Sequence, residues 1–309
     1  MNTSGRHFRQ IPGPTNVPDR ILRALQQPTI DHRGPDFKGL CRELLEGLKE
    51  VFKTRNPVII FPASGTGAWE SALVNTLSPG DKVLMFETGH FGTLWKQLAE
   101  KLGLQVDWIP GNWREGVNPE KVEELLNADR EKQIRAVCVV HNETATGVTS
   151  DISSIRKALD RTGHPALFMV DTISSLASMD YRHDEWKVDV TVAGSQKGLM
   201  LPPGLSFNAV SDKALEASEK AQLPRAYWNW QEMLNANEQS VFPLHPCDQP
   251  PLWIEGGADP AQGGRTGSGI CAPPPTGGSN TESGSGLESR NERPPFPRIQ
   301  RFPDRGEDA

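Results

Sequence analysis

The sequence predicts an α/β fold, a mostly parallel sheet of the seven-stranded type flanked by helices, followed by a disordered C-terminal tail. Three observations carry this. Short apolar runs alternate with amphipathic stretches through the first two thirds of the chain, and repeated β-α-β order favours a parallel sheet with helices on both faces. The apolar runs are nearly unbroken rather than alternating, as for strands buried on both sides. After Phe242 the composition changes abruptly: residues 243–309 hold 12 Pro and 11 Gly in 67 positions, about a third, within the range of low-complexity chain.

The elements follow in order. Residues 56–61 (NPVIIF) read as a buried strand and 68–77 (AWESALVNTL) as a helix. A turn at SPGD from Ser78 leads to a strand over 82–86 (KVLMF), an amphipathic helix over 91–102 and a short strand over 106–110. Asn118-Pro119 opens another helix with a cap residue and a proline at its first position. Residues 134–140 (IRAVCVV) form a strand, 151–159 a helix, and 166–170 (ALFMV) and 188–192 (VDVTV) two further strands. The domain expectation is an N-terminal arm over 1–20, a large domain over 21–242 and the tail over 243–309.

Composition excludes several functional classes. A net charge of -6 over 309 residues argues against a general nucleic-acid binder. No apolar run approaches the roughly 20 residues of a membrane span, and the first residues lack the apolar core of a signal peptide. Cys41, Cys138, Cys247 and Cys271 form no CxxC pair, so free thiols in a reducing cytoplasm are expected. His90 and His141 invite a metal reading, but no ligand spacing supports it, and no metal is expected.

Five candidate positions stand at strand ends. The first is the small-residue loop SGTGAWE starting at Ser64, between a strand and a helix, where backbone N–H groups and the helix dipole favour an anion. Phe91 begins a helix and could lie flat over a ring. Thr144, in HNETATG, offers a hydroxyl. Asp171 ends ALFMV, where open α/β sheets bind ligands, and Lys197 lies in AGSQKGL among small residues. Each has an ordinary alternative: a tight turn, a core aromatic, a polar loop, a helix N-cap and a solvated lysine. In this order they meet the needs of pyridoxal-phosphate (PLP) chemistry: a phosphate cradle, a ring cover, a donor to the ring hydroxyl oxygen, a carboxylate for the pyridine nitrogen, and an imine-forming lysine.

The same order resembles the class V, fold-type-I aminotransferases, nearest to the serine–glyoxylate and alanine–glyoxylate enzymes. The stretches that carry the resemblance are IPGPTNVP (11–18), DHRGPDF (31–37), PASGTGAWE (62–70), HNETATGV (141–148), VDTISSLASM (170–179), GSQKGLMLPPGL (194–205) and YWNWQEML (227–234). The resemblance implies the large domain of a fold-type-I PLP transferase. Lys197 would hold PLP as a Schiff base and act as the catalytic base. Gln196 would neighbour the phosphate, Thr66, Gly67 and Ala68 would bind it, Phe91 would stack on the ring, Thr144 would contact the cofactor and Asp171 would pair with the ring nitrogen. Pro12 and Gly13 would lie near the substrate carboxylate. The implied reaction moves an amino group from a small amino acid (serine, alanine or aspartate) to the 2-oxo acid glyoxylate, giving glycine, in a homodimer.

Beyond Phe242 the chain departs from the family. Relatives continue with roughly FPYTPAT and a small C-terminal domain, whereas here Pro243 is followed by LHPCDQPPLWIEGG. Codons permitted for residues 244–282 can, in a frame shifted by one base, encode a stretch opening YTPATNLLYGLKEAL, an amphipathic helical pair. The tail therefore reads as an out-of-frame translation in place of the small domain, which in the family supplies a carboxylate-binding arginine, while YTPAT reaches the neighbouring subunit's phosphate. The alternative is a catalytically inactive PLP-binding fragment or an unstable product. A cysteine desulfurase would need a mobile-loop cysteine, offered only by Cys247 and Cys271 in the tail. A nicotinamide dehydrogenase would leave Lys197 and Asp171 without a role.

Overall fold

The computed structural model describes residues 10–243; the expected tail structure, Cys247 and Cys271 lie outside them. Two helices precede the sheet, α1 (Asp19–Leu25) and α2 (Pro35–Phe52). The sheet then alternates with helices: β1 (Val58–Ala63), α3 (Gly65–Thr76), β2 (Lys82–Phe86), α4 (His90–Lys101), β3 (Gln105–Ile109), α5 (Pro119–Ala128), β4 (Ile134–Val140), α6 (Ile152–Thr162) and β5 (Leu167–Asp171). Two more strands, β6 (Val190–Gly194) and β7 (Gly204–Val210), lead to α7 (Asp212–Ser218) and α8 (Trp230–Glu238).

The sheet has seven strands in the order β1-β7-β6-β5-β4-β2-β3. All neighbours run parallel except β7, which is antiparallel to both β1 and β6. The central strands β5 and β6 are buried at every position. Their residues divide between two apolar layers, one around Met169, Val192 and Trp69, the other around Phe168, Val170 and Ile155. Burial on both faces is why these runs are apolar without alternation. Pro62 within β1 is tolerated because β1 is an edge strand with β7 as its partner.

Side-chain caps fix where several helices start. Asn118 accepts from the Glu120 N–H at the head of α5 and Asp151 from the Ser154 N–H at the head of α6. Gly163 closes α6 in the left-handed conformation, at φ 58°.

Three expectations need correction. The helix expected from Ala68 begins at Gly65, directly after the extended backbone of Ser64. The strand expected from Val188 begins at Val190. Strand β7 (GLSFNAV) is not among the strands expected from the sequence; it completes the sheet as the one strand reversed against the rest.

Candidate active site

The parallel strands all end on one side of the sheet, and the loops leaving β4, β5 and β6 meet the start of α3 and α4 there. They enclose a cavity of about 360 Å³, a size suited to a small cofactor or ligand. Among the residues lining it are Ser64, Thr66, Phe91, Thr144, Asp171 and Lys197.

Lys197 directly follows the loop from β6. It is buried, and its backbone is left-handed at φ 67°, a conformation uncommon for a side chain of this size and one that fixes its direction. Its Nζ donates to Thr144 Oγ1 at 2.7 Å and lies 5.2 Å from the centre of the Phe91 ring. Burial pulls the lysine pKa down, while the nearby charges of Asp171 and Glu143 push it up. The N-terminal arm crosses this lysine: Thr15 Oγ1 donates to the Lys197 carbonyl at 3.2 Å. A Cβ on Gly13 would stand 3.2 Å from Lys197 Cε, so the close approach favours glycine.

Asp171 ends β5 and is buried. Its Oδ2 accepts from the Trp69 indole Nε1 at 2.9 Å and its Oδ1 from the Ile173 N–H at 2.7 Å. Burial raises its pKa to about 6, against the lowering effect of those two donors and of Lys197. The Trp69 ring is stacked on Trp95, with centroids 5.9 Å apart and planes 12° from parallel.

The SGTGAWE loop expected to meet an anion leads from β1 into α3. Ser64, Gly65 and Thr66 line the cavity. Gly65 and Thr66 open α3, where first-turn N–H groups have no carbonyl within the helix to meet. Gly67 and Ala68, also expected at a phosphate, do not line the cavity, and their N–H groups donate back to the Ser64 carbonyl at 2.9 and 3.3 Å. A Cβ on Gly67 would meet Trp228 and Ala63, and Ala68 is in the apolar core. Gln196 and Pro12 line the cavity with Gly13, and Gln196 Oε1 is buried with no hydrogen-bond partner.

The structure thus gathers Pro12, Gly13, Thr66, Phe91, Thr144, Asp171, Gln196 and Lys197 around one cavity. Ser64, Gly65 and Trp69, which the sequence offered only as members of the SGTGAWE loop, also line it, and so does Asn142, which sequence reasoning missed. Trp69 was given no role of its own, because an aromatic on a helix looks like core. Cys41 and Cys138 are buried free thiols. Among the described residues no cluster could hold a metal ion, and no helix is long and apolar enough to cross a membrane.

An open α/β sheet whose strand ends hold a buried lysine, a buried aspartate and a helix N-terminus around one cavity is a ligand-binding enzyme fold. The class-V aminotransferase family matches residues 11–237. The serine–glyoxylate aminotransferase of Methylorubrum extorquens is 51% identical over 248 residues, covering 78% of this chain and 62% of that protein. The L-aspartate–glyoxylate aminotransferase of Paracoccus denitrificans is 49% identical over 237 residues, covering 76% of this chain and 60% of that protein. The crystal structure of an alanine–glyoxylate aminotransferase from Nostoc sp. superposes with a TM-score of 0.70 at 28% identity, over 78% of this chain and 64% of that one. This chain belongs to the class-V aminotransferase family. It spans about three fifths of the length of those curated relatives.

Proposed function

We propose that the cavity binds PLP and that the protein transfers an amino group from serine, alanine or aspartate to glyoxylate, giving glycine. The observation that carries the reading is the pair Lys197 and Asp171 on the wall of one cavity at the strand ends. The donor set fits the cofactor. Asp171 is a buried carboxylate whose two hydrogen bonds come from neutral N–H groups, which leaves it suited to a cationic N–H such as a protonated pyridine nitrogen. The α3 N-terminus at Gly65 and Thr66 suits a phosphate, Phe91 offers a ring face, and Lys197 offers an amine.

When bound, PLP supplies an electron sink that acidifies the α-carbon of the amino acid. The residues of this chain do the rest. Asp171 would hold the ring nitrogen end through its charge. Phe91 covers the cavity wall beside the lysine. Burial lowers the Lys197 pKa, which raises the share of neutral amine able to take the α-proton and return it. Thr144 Oγ1 accepts from that amine and so aims it. Pro12 and Gly13 line the cavity together with the lysine, where the substrate carboxylate would enter.

The relatives named for a donor differ, serine in one and L-aspartate in the other, so the donor is part of the proposal. So are a homodimer and a cytoplasmic setting. A second reading is a PLP-binding fragment without turnover, favoured by the coverage of about three fifths of those relatives. It goes with the proposal that residues 243–309 are an out-of-frame translation standing where a small domain would be. Resequencing the codons for residues 239–249 separates its two sources: a miscalled base restores the small domain, and an unchanged read leaves a genuine frameshift, whose product should show little or no transamination. Glycine formation from glyoxylate, with each donor in turn, tests the activity; PLP binding without any glycine supports the second reading.

A further inference from the structure

One buried carboxylate beside the cavity has no role in the account above. Glu143 is fully buried. Its Oε1 accepts from the N–H groups of Phe91 and Ala145 at 3.2 and 3.1 Å, and its Oε2 accepts from the Gly92 N–H at 3.1 Å. Phe91 and Gly92 stand in the first turn of α4, whose N-cap, Gly89, has no side chain to offer. A helix start leaves N–H groups without carbonyl acceptors and favours negative charge. Here both needs are met from another loop, the one leaving β4. Gly89 packs directly on that carboxylate: a Cβ there would lie 2.4 Å from Glu143 Cγ.

The same residue shapes its own loop. Its N–H donates to the Val148 carbonyl and its carbonyl accepts from the Gly147 N–H, each at 2.8 Å. Thr144 is held between these bonds. A second tie joins the two segments, from Thr146 Oγ1 to the Thr88 carbonyl at 3.2 Å. The loop and the helix each present one group to Lys197 Nζ: the Thr144 hydroxyl at 2.7 Å and the Phe91 ring at 5.2 Å. Burying a carboxylate is costly unless donors surround it, and the donors used here are those that fix these two segments to each other. Its charge also reaches both ionisable groups of the cavity, raising the pKa of Lys197 and of Asp171.

We propose that Glu143 is a positioning residue, whose carboxylate locks Phe91 and Thr144 into one unit around Lys197, so that the ring cover and the lysine's hydrogen-bond partner are set together. This rests on the PLP reading of the cavity.

The test is a double-mutant cycle on PLP affinity in the full chain, with wild type, Glu143→Gln, Phe91→Leu and the double variant. Glutamine keeps one acceptor oxygen but turns an NH2 group toward the helix N–H groups. Its affinity should fall about tenfold or more, the loss expected when buried N–H groups lose their acceptor. The effect should shrink markedly in the Phe91→Leu background, because the carboxylate acts through that ring. The pH midpoint of the bound-PLP absorption should also move lower in Glu143→Gln, since a negative charge near the lysine is gone; a merely structural role would leave it in place. Wild-type affinity in Glu143→Gln, or losses that simply multiply in the double variant, overturns the proposal. If Glu143→Gln does not fold, Gly89→Ala crowds the carboxylate out of place while keeping it, and must weaken PLP binding; wild-type affinity there overturns the proposal equally. If wild type itself does not bind PLP, the reading of the cavity falls and Glu143's role falls with it. If wild type binds and the variants bind equally well, only Glu143's role falls.

Discussion

Replacing Trp69 with phenylalanine isolates the support that Asp171 receives from a side chain. The change removes the indole N–H that donates to Asp171 Oδ2 at 2.9 Å and keeps an aromatic ring near Trp95. A hydrogen bond to a charged group contributes about 1.5–3 kcal/mol, and one pKa unit corresponds to about 1.4 kcal/mol. Asp171, held at about 6 by burial, should therefore rise by about one to two units. At pH 7 the wild-type carboxylate is about nine-tenths ionised, and the variant's about half to one-tenth. If the ionised form is what holds the pyridine nitrogen, PLP affinity at pH 7 falls by about two- to tenfold. The loss should fade by pH 9, where the variant's carboxylate is again ionised. A PLP titration followed by absorbance at pH 7 and pH 9 reads this directly. Equal affinity for wild type and variant at pH 7 refutes the reasoning. A loss that persists unchanged at pH 9 also refutes it, because it would assign the effect to packing rather than to the charge.

Further expectations can be checked together. Lys197→Ala should remove the absorption of covalently held PLP altogether, and an unchanged spectrum would remove this lysine from the chemistry. Buried His141 and His183 both have pKa values lowered to about 4, so the unfolded chain binds more protons than the folded one between about 6.5 and about 4. Their stabilisation is complete above the unfolded value and is lost as pH falls through the folded one, about 2 kcal/mol each at pH 5. Asp171, with its raised pKa, works in the opposite sense and offsets roughly 1 kcal/mol at that pH. The urea midpoint of the cofactor-free chain should drop between pH 7.5 and pH 5, and His183→Asn should flatten the slope; an unchanged midpoint in wild type contradicts the account. Phe168→Ala, at a fully buried position of β5, should cost about 3–5 kcal/mol in urea unfolding.

Much of the fold was legible because burial on both faces writes itself into sequence as unbroken apolar runs. KVLMF, IRAVCVV and ALFMV became β2, β4 and β5. The reversed strand β7 was harder: GLSFNAV mixes serine and asparagine into its buried positions. Their donors find partners only in the tertiary fold, Ser206 Oγ donating to the Phe61 carbonyl and Asn208 Nδ2 to the Ala68 carbonyl. The site was legible where a polar residue ended an apolar strand, as at Asp171, or sat among small residues, as at Lys197. The start of α3 was misplaced because the helix was begun at its apolar residues instead of after Ser64. Trp69 and Glu143 were hidden for a common reason: each acts through a partner far away in the chain, Asp171 in one case and the start of α4 in the other.

The central claim is that Lys197 is the amine that meets PLP in this cavity. Incubating the full chain with PLP, reducing with borohydride and mapping the product by peptide mass spectrometry tests it in one step. The account predicts a phosphopyridoxyl group on Lys197, at substoichiometric PLP and before surface lysines react. An unmodified Lys197 beside labelled surface lysines would contradict it.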